Sequence, residues 1–236
     1  MTPDHHKSNN LTSKGAIVAL VGFVLSGPVA FVIIRLVRPQ PTWVSPSVFV
    51  ENYHIIQDIP YYFGFLLIGG MLMVSVGHYM SEPAKSEPFR RFHLLFALGW
   101  TIVFCTLVSF NYICQISFVR NLALNYKQEH DAAIAAFSMA NPLSFCWANE
   151  MWGYAFLGIS TWLTAGYYAN RNNLIRILMI ANGILSLASA ISTIIGVGWI
   201  MTTAGLVAYF LWNLLMIFMM VAIYHDNKSS RQLYVV

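Results

Sequence analysis

GAIVALVGFVLSGPVAFVIIRLV, from Gly15 to Val37, carries a single charge, Arg35, close to its end. A helix rises about 1.5 Å per residue, so roughly 20 apolar residues cross a hydrocarbon layer about 30 Å thick. Lipid offers no hydrogen-bond partner to a backbone, and a helix satisfies its own N–H and C=O groups within one segment. Five further stretches read the same way: Ile59 to Met80, Phe92 to Phe118, Met151 to Ala169, Leu174 to Trp199 and Thr202 to Tyr224. The sequence therefore predicts an all-α polytopic membrane protein, a bundle of six transmembrane helices. Residues 15–224 form its single domain, with a polar cytoplasmic tail at 1–14 and another at 225–236.

Composition agrees. Charged residues make up 9% of the 236-residue chain, against about 25% in soluble domains. The net charge of +4 is read as loop asymmetry and not as a nucleic-acid footprint, because basic residues gather in cytoplasmic loops. With the N-terminus inside, Lys7, Lys14, Lys85, Arg90, Arg91, Arg171, Arg176, Lys228 and Arg231 are cytoplasmic, while Arg35, Arg38, Arg120 and Lys127 are outside. Nine against four places both termini in the cytoplasm and the lipid bilayer around the chain. The first apolar run is too long for a signal peptide and has no small-x-small cleavage site before a soluble domain. Of the three cysteines, Cys105 and Cys114 lie on different faces of one helix. Buried free thiols are the default expectation, and pairing of Cys114 with Cys146 near the outer surface stays open.

Between the spans, Met1 to Lys14 is polar and expected to be disordered, and His5-His6 within it is a frayed end, not a metal site. The loop Arg38 to Gln57 carries Pro39, Pro41 and Pro46 with Trp43, Phe49 and Tyr53, which fits extended chain followed by an interfacial segment. The outer segment 119–140 mixes Leu122, Leu124, Ile134 and Phe137 with Lys127, Glu129 and Asp131. That pattern predicts a prolonged third helix or a short amphipathic one. Asn141-Pro142 reads as an N-cap and first turn, which places Glu150 inside a helix. Gly15, Ala19, Gly22 and Ser26, and again Asn182, Ser186, Ser189, Thr193 and Gly196, form stripes of small residues that let membrane helices approach closely. Pro28 should kink the first helix by removing the bond to the Val24 carbonyl.

Glu150 is the sharpest candidate for chemistry. A carboxylate within hydrocarbon costs roughly 2.5–3.5 kcal/mol, so it should face the interior, pair, or take up a proton. Arg120 or Arg35 would pair with it in a purely structural role. Asn111 and Gln115 share a helix face at the same depth, Asp58 opens the second span, and Tyr154, Thr161 and Thr164 continue the Glu150 stripe. A polar cavity opening outward is expected from this set, with Trp147, Trp152, Phe145 and Tyr154 as its aromatic lining. Deeper in the bundle, Asn182, Asn213 and Tyr209 are intramembrane polar residues expected to hydrogen-bond across helices.

No cofactor is expected. Membrane haem needs facing histidine pairs, yet His78 and His93 sit at inner helix ends, His54 and His130 lie outside the core, and the last three spans contain no histidine. No mid-helix lysine could hold retinal, and no metal-ligand set or catalytic residue set is legible.

The stretch Glu150-Met-Trp-Gly153-Tyr154, the first helix containing Ser26-Gly27-Pro28, and the long outer segment after the third helix resemble small bacterial six-helix integral membrane proteins of uncharacterised families. The resemblance implies architecture and a bacterial inner membrane, without an activity. Three classes of function are weighed. The leading one is a binding or transport protein whose outward pocket around Glu150 takes a small amphipathic or cationic ligand, or a proton. The second is a structural or accessory subunit, with a membrane-protein partner or a second copy of the chain. The third, an intramembrane lipid-modifying enzyme with Glu150 as acid and base, is weakest because the rest of its catalytic set is lacking.

Overall fold

A computed structural model describes residues 3–82, 88–196 and 202–232. All regular structure among the described residues is helical. The main elements are α1 (Pro3–Val24), α2 (Ala30–Val37), α3 (Pro46–Asn52), α4 (Ile59–Ser81), α5 (Pro88–Ile113), α6 (Arg120–Leu124), α7 (Asp131–Phe137), α8 (Phe145–Ala165), α9 (Asn173–Ile195) and α10 (Thr203–Gln232). Five helical stretches among these residues are long and apolar enough to cross a membrane: Ser8–Val37, Ile55–Ser81, Phe89–Leu124, Asn173–Ile195 and Thr203–Lys228. The expected span from Met151 falls in α8, which has the length but not the apolarity, because Asn149, Glu150, Thr161 and Thr164 dilute it. The inner turn around Lys85 and the outer turn around Ile200 lie outside the described residues.

The first helix corrects the expectation of a disordered tail. It is already helical at Pro3, and Ser8, Asn9, Thr12 and Ser13 are buried. The reason is α4, which runs antiparallel beside it at very close range. A Cβ on Gly77 would collide with Thr12, one on Gly70 with Ala19, and one on Gly22 with the Leu67 backbone. The small-residue stripe thus continues one turn beyond the apolar run into Thr12, and Ser81 Oγ donates to Ser8 Oγ at 3.0 Å. Pro28 sits in a π-turn, Leu25–Val29, between α1 and α2. The wider turn accommodates a residue that has no N–H to give.

At the other end, α10 stays helical to Gln232, past the expected start of a tail at 225. A second π-turn, Cys114–Val119, links α5 to α6, and a 3₁₀ turn (Gln128–His130) leads into α7. Ser144, not Asn141, caps α8: its hydroxyl accepts from the Trp147 N–H at 3.0 Å. Asn141 closes the preceding turn instead, accepting from the Leu143 N–H at 3.0 Å.

Burial separates into two clusters. The bundle core packs Phe23, Leu67, Met71, Phe104, Tyr112, Met179 and Met219 between the long helices. A smaller cap gathers Phe49, Cys114, Val119, Ala123, Ile134 and Cys146 beneath the short helices α3 and α7. α8 lies against both α5 and α9, and the candidate acid sits where its first turns meet the cap.

Candidate functional site

Glu150 occupies the second turn of α8 and is partly buried. Asn111 of α5, with no exposed surface, donates a short hydrogen bond from Nδ2 to Glu150 Oε2. The same nitrogen lies 3.2 Å from Met139 Sδ, while Asn111 Oδ1 has no partner among the described residues. One turn toward the bundle centre, the hydroxyls of Tyr112 and Tyr154 are 3.4 Å apart. Tyr112 is packed by Tyr61 at 5.6 Å and Phe65 at 5.8 Å, and Tyr154 by Phe104 at 5.4 Å and Trp212 at 5.2 Å, between ring centroids. Glu150 therefore stands at the mouth of an aromatic layer, held by neutral donors. The ion pairs among the described residues do not include it. Arg35 is exposed, and Arg120 is engaged elsewhere, so the structural pairing weighed for Glu150 does not form.

Arg120 belongs to Asp58. Its Nη1 lies 3.8 Å from Asp58 Oδ2 and donates to the Tyr62 hydroxyl at 3.1 Å. Asp58 makes no capping bond to α4; it accepts from the Tyr53 hydroxyl at 3.0 and 2.9 Å on its two oxygens. Burial first, then this bond to the carboxylate, pushes the Tyr53 phenol well above its usual range, so the hydroxyl remains a donor. Asp58, Tyr53, Gln57, Tyr61, Gln115 and Ser138 border a cavity with about 20 Å³ of room for the centre of a water molecule. Gln57 Oε1 is buried beside it without a partner among the described residues.

The expected polar set thus divides in two. Asp58 and Gln115 border this cavity, while Glu150 and Asn111 are bonded to each other and are not among its lining residues; Tyr61 of the lining packs on Tyr112, the neighbour of Asn111. Gln115 is fully engaged: Nε2 donates to the Phe137 carbonyl at 2.9 Å and Oε1 accepts from the Met139 N–H at 3.0 Å. It clamps the chain between α7 and α8 against the end of α5. Trp147, one turn before Glu150, keeps its buried Nε1 unpartnered among the described residues. Trp152 does not join the site. Two residues on from Glu150, it is carried to the far side of α8 and packs on Phe156 at 6.1 Å. Phe145 points outward, 56% exposed.

A second polar level lies deeper. Asn182 is completely buried and joins three helices: Nδ2 donates to Thr161 Oγ1 at 3.0 Å, and Oδ1 accepts from Trp212 Nε1 at 3.0 Å. Asn213 departs from expectation. Its Nδ2 donates to the Tyr209 carbonyl of its own helix at 2.7 Å, and Tyr209 is 57% exposed. Rotation of α10 turns Trp212, their neighbour, toward Asn182 instead. Sequence reading missed the hydroxyl chain Ser75–Thr101–Ser160, with contacts of 2.8 and 2.7 Å, and the buried His78 Nε2···Tyr168 hydroxyl contact at 2.6 Å. Ser75, His78, Ser160 and Thr161 line a second, smaller cavity, with about 10 Å³ for a water centre. Hydroxyls and a histidine inside apolar spans were the available signal; their partners are set by helix rotation, which spacing alone does not give.

No protein-family model matches the chain, and neither a curated protein nor a solved structure is similar to it. The likeness carried by Glu150-Met-Trp-Gly153-Tyr154 accordingly adds no activity to this geometry.

Proposed function

We propose that this chain is a six-span membrane protein of binding or transport type, whose ligand is a proton or a small monovalent cation taken up at Glu150. One observation carries the reading: Glu150 is surrounded by neutral groups, whereas the neighbouring buried acid, Asp58, has its arginine. An acid in such a place lowers its energy by gaining a proton or a bare cation. The unpartnered Asn111 Oδ1 beside it supplies a second oxygen. α8 is the sixth span in this reading, since its 21 residues give a helix of about 31 Å. Both termini are then cytoplasmic and the Glu150 end faces outward.

Protein reconstituted into liposomes under an imposed pH or sodium gradient tests this. The wild type is expected to dissipate one of the gradients, and Glu150→Gln to lose that activity while remaining folded and monodisperse. A wild type that leaves both gradients intact and takes up neither ion removes the reading. An accessory-subunit role is the second reading. It is favoured by how fully Gln115 and Asn182 are engaged in holding helices together. A stable membrane partner recovered in native detergent, with no ion dependence, would support it.

A further inference from the structure

Two of the three cysteines meet in the cap. Cys114 opens the π-turn after α5, and Cys146 lies in the first turn of α8. Both are buried, at 8% and 0% exposure, in the cluster that contains Val119, Ala123 and Ile134. Both are free thiols in this structure, and the antiparallel register of α5 and α8, fixed by the Asn111–Glu150 and Asn149–Leu107 bonds, sets them opposite each other in that cluster. Cys105 is elsewhere, its thiol directed to the Ile68 carbonyl at 3.7 Å in the bundle. The spacing along each helix gives the pair its significance. Asn111 and Cys114 are three residues apart, Cys146 and Glu150 four apart, so each cysteine sits one turn outward from a member of the acid–amide pair.

The geometry points to a disulfide between Cys114 and Cys146 that staples the turns carrying Asn111 and Glu150. The bond forms by exchange: the two thiols lose two protons and two electrons to the disulfide of an oxidoreductase outside the membrane, which departs as a dithiol. Exchange takes place while the cap is still assembling, because the packed cap buries both sulfurs. The inference rests on one part of the reading above, the outward placement of this end, and is independent of what Glu150 binds. Outside the membrane, oxidation of such a pair is favoured. The loop it closes includes α6 and α7, so the staple also restrains the cap.

Thiol counting decides it. Protein prepared without reductant is denatured in detergent and labelled with a maleimide-linked polymer, with and without prior reduction. One labelled thiol before reduction and three after are expected. A Cys105→Ser variant, which leaves the cap untouched, should give none before and two after. Three labels in unreduced wild type overturn the proposal. So does a bond that appears only when isolated protein is treated with an oxidant, and that outcome removes the outward orientation as well, while leaving the gradient experiment on Glu150 to stand or fall separately.

Discussion

Replacing Glu150 by Gln should leave thermal unfolding in detergent within about 1 kcal/mol of wild type, because the side-chain oxygen that accepts from Asn111 is retained and no cation is stranded. Glu150→Lys should block assembly: it brings a fixed positive charge against the Asn111 amide donor and the aromatic layer. Monodispersity and unfolding temperature of the two variants check both statements. Asp58 behaves in the opposite way. Asp58→Asn strands Arg120 and leaves Tyr53 one neutral amide oxygen where it had two carboxylate oxygens. Its cost should be about 1–3 kcal/mol, below that of breaking a fully buried pair because Arg120 can still reach water. Tyr53 adds an alkaline limit. Its folded-state phenol is raised above the unfolded value, so the stability it contributes is complete below pH ~10 and falls as pH rises beyond it. Tyr53→Phe should flatten that limb of the pH–stability curve. Glu150 and Asp58 were both legible in the sequence as acids near apolar runs. Their partners were not, since Arg120 reaches Asp58 only once α5, continued through the π-turn into α6, is packed beside the start of α4.

Neighbouring glycines with the same sequence context part ways once the helices are packed. A Cβ on Gly70 would strike Ala19, whereas one on Gly69 meets nothing within 4 Å. Gly70→Val should therefore prevent tight association of α1 with α4, losing at least 1–3 kcal/mol by about the usual cost of overpacking, while Gly69→Val is near neutral. Unfolding temperature and protease resistance in detergent separate them. The same contrast holds for the deep amides: Asn182→Leu unties α8, α9 and α10 and should cost about 0.6–2 kcal/mol, but Asn213→Leu breaks only a bond within α10. At this scale the stripe on α1 was legible as a seam, and so was the helical character of 119–140; the stripe on α9 packs at Asn182 and Ser186 but ends exposed at Gly196. The polar start of α1 was not. Ser8, Asn9 and Thr12 look like tail residues until α4 supplies the surface and the hydrogen bonds that bury them.

Across the whole molecule, cation–π contacts gather at one end: Arg91 over Tyr79, Arg171 over Tyr167 and Lys228 over Tyr224. In the orientation proposed above, this end is the cytoplasmic one. Reporter fusions at Lys85, Asn172 and the C-terminus should accordingly report cytoplasm, and a fusion at Gln128 the outside; a cytoplasmic signal at Gln128 breaks the arrangement. Helical membrane class was plain from the apolar runs, while the number of crossings was not. α8 gives up apolarity at Asn149, Glu150, Thr161 and Thr164; the first three hold it to α5 and α9, while Thr164 donates to the Ser160 carbonyl of its own helix. The two π-turns, Leu25–Val29 and Cys114–Val119, have a genetic consequence. Each houses a surplus residue, so shortening the chain by one there, by Pro28 itself in the first, lets the helix close into regular α-geometry with the faces on either side still aligned. A one-residue deletion in the regular part of α5 would instead swing everything beyond it by about 100°. Scanning codon deletions along the gene should therefore find tolerance concentrated at two short windows, each inside a segment where every neighbouring deletion is lethal to the fold.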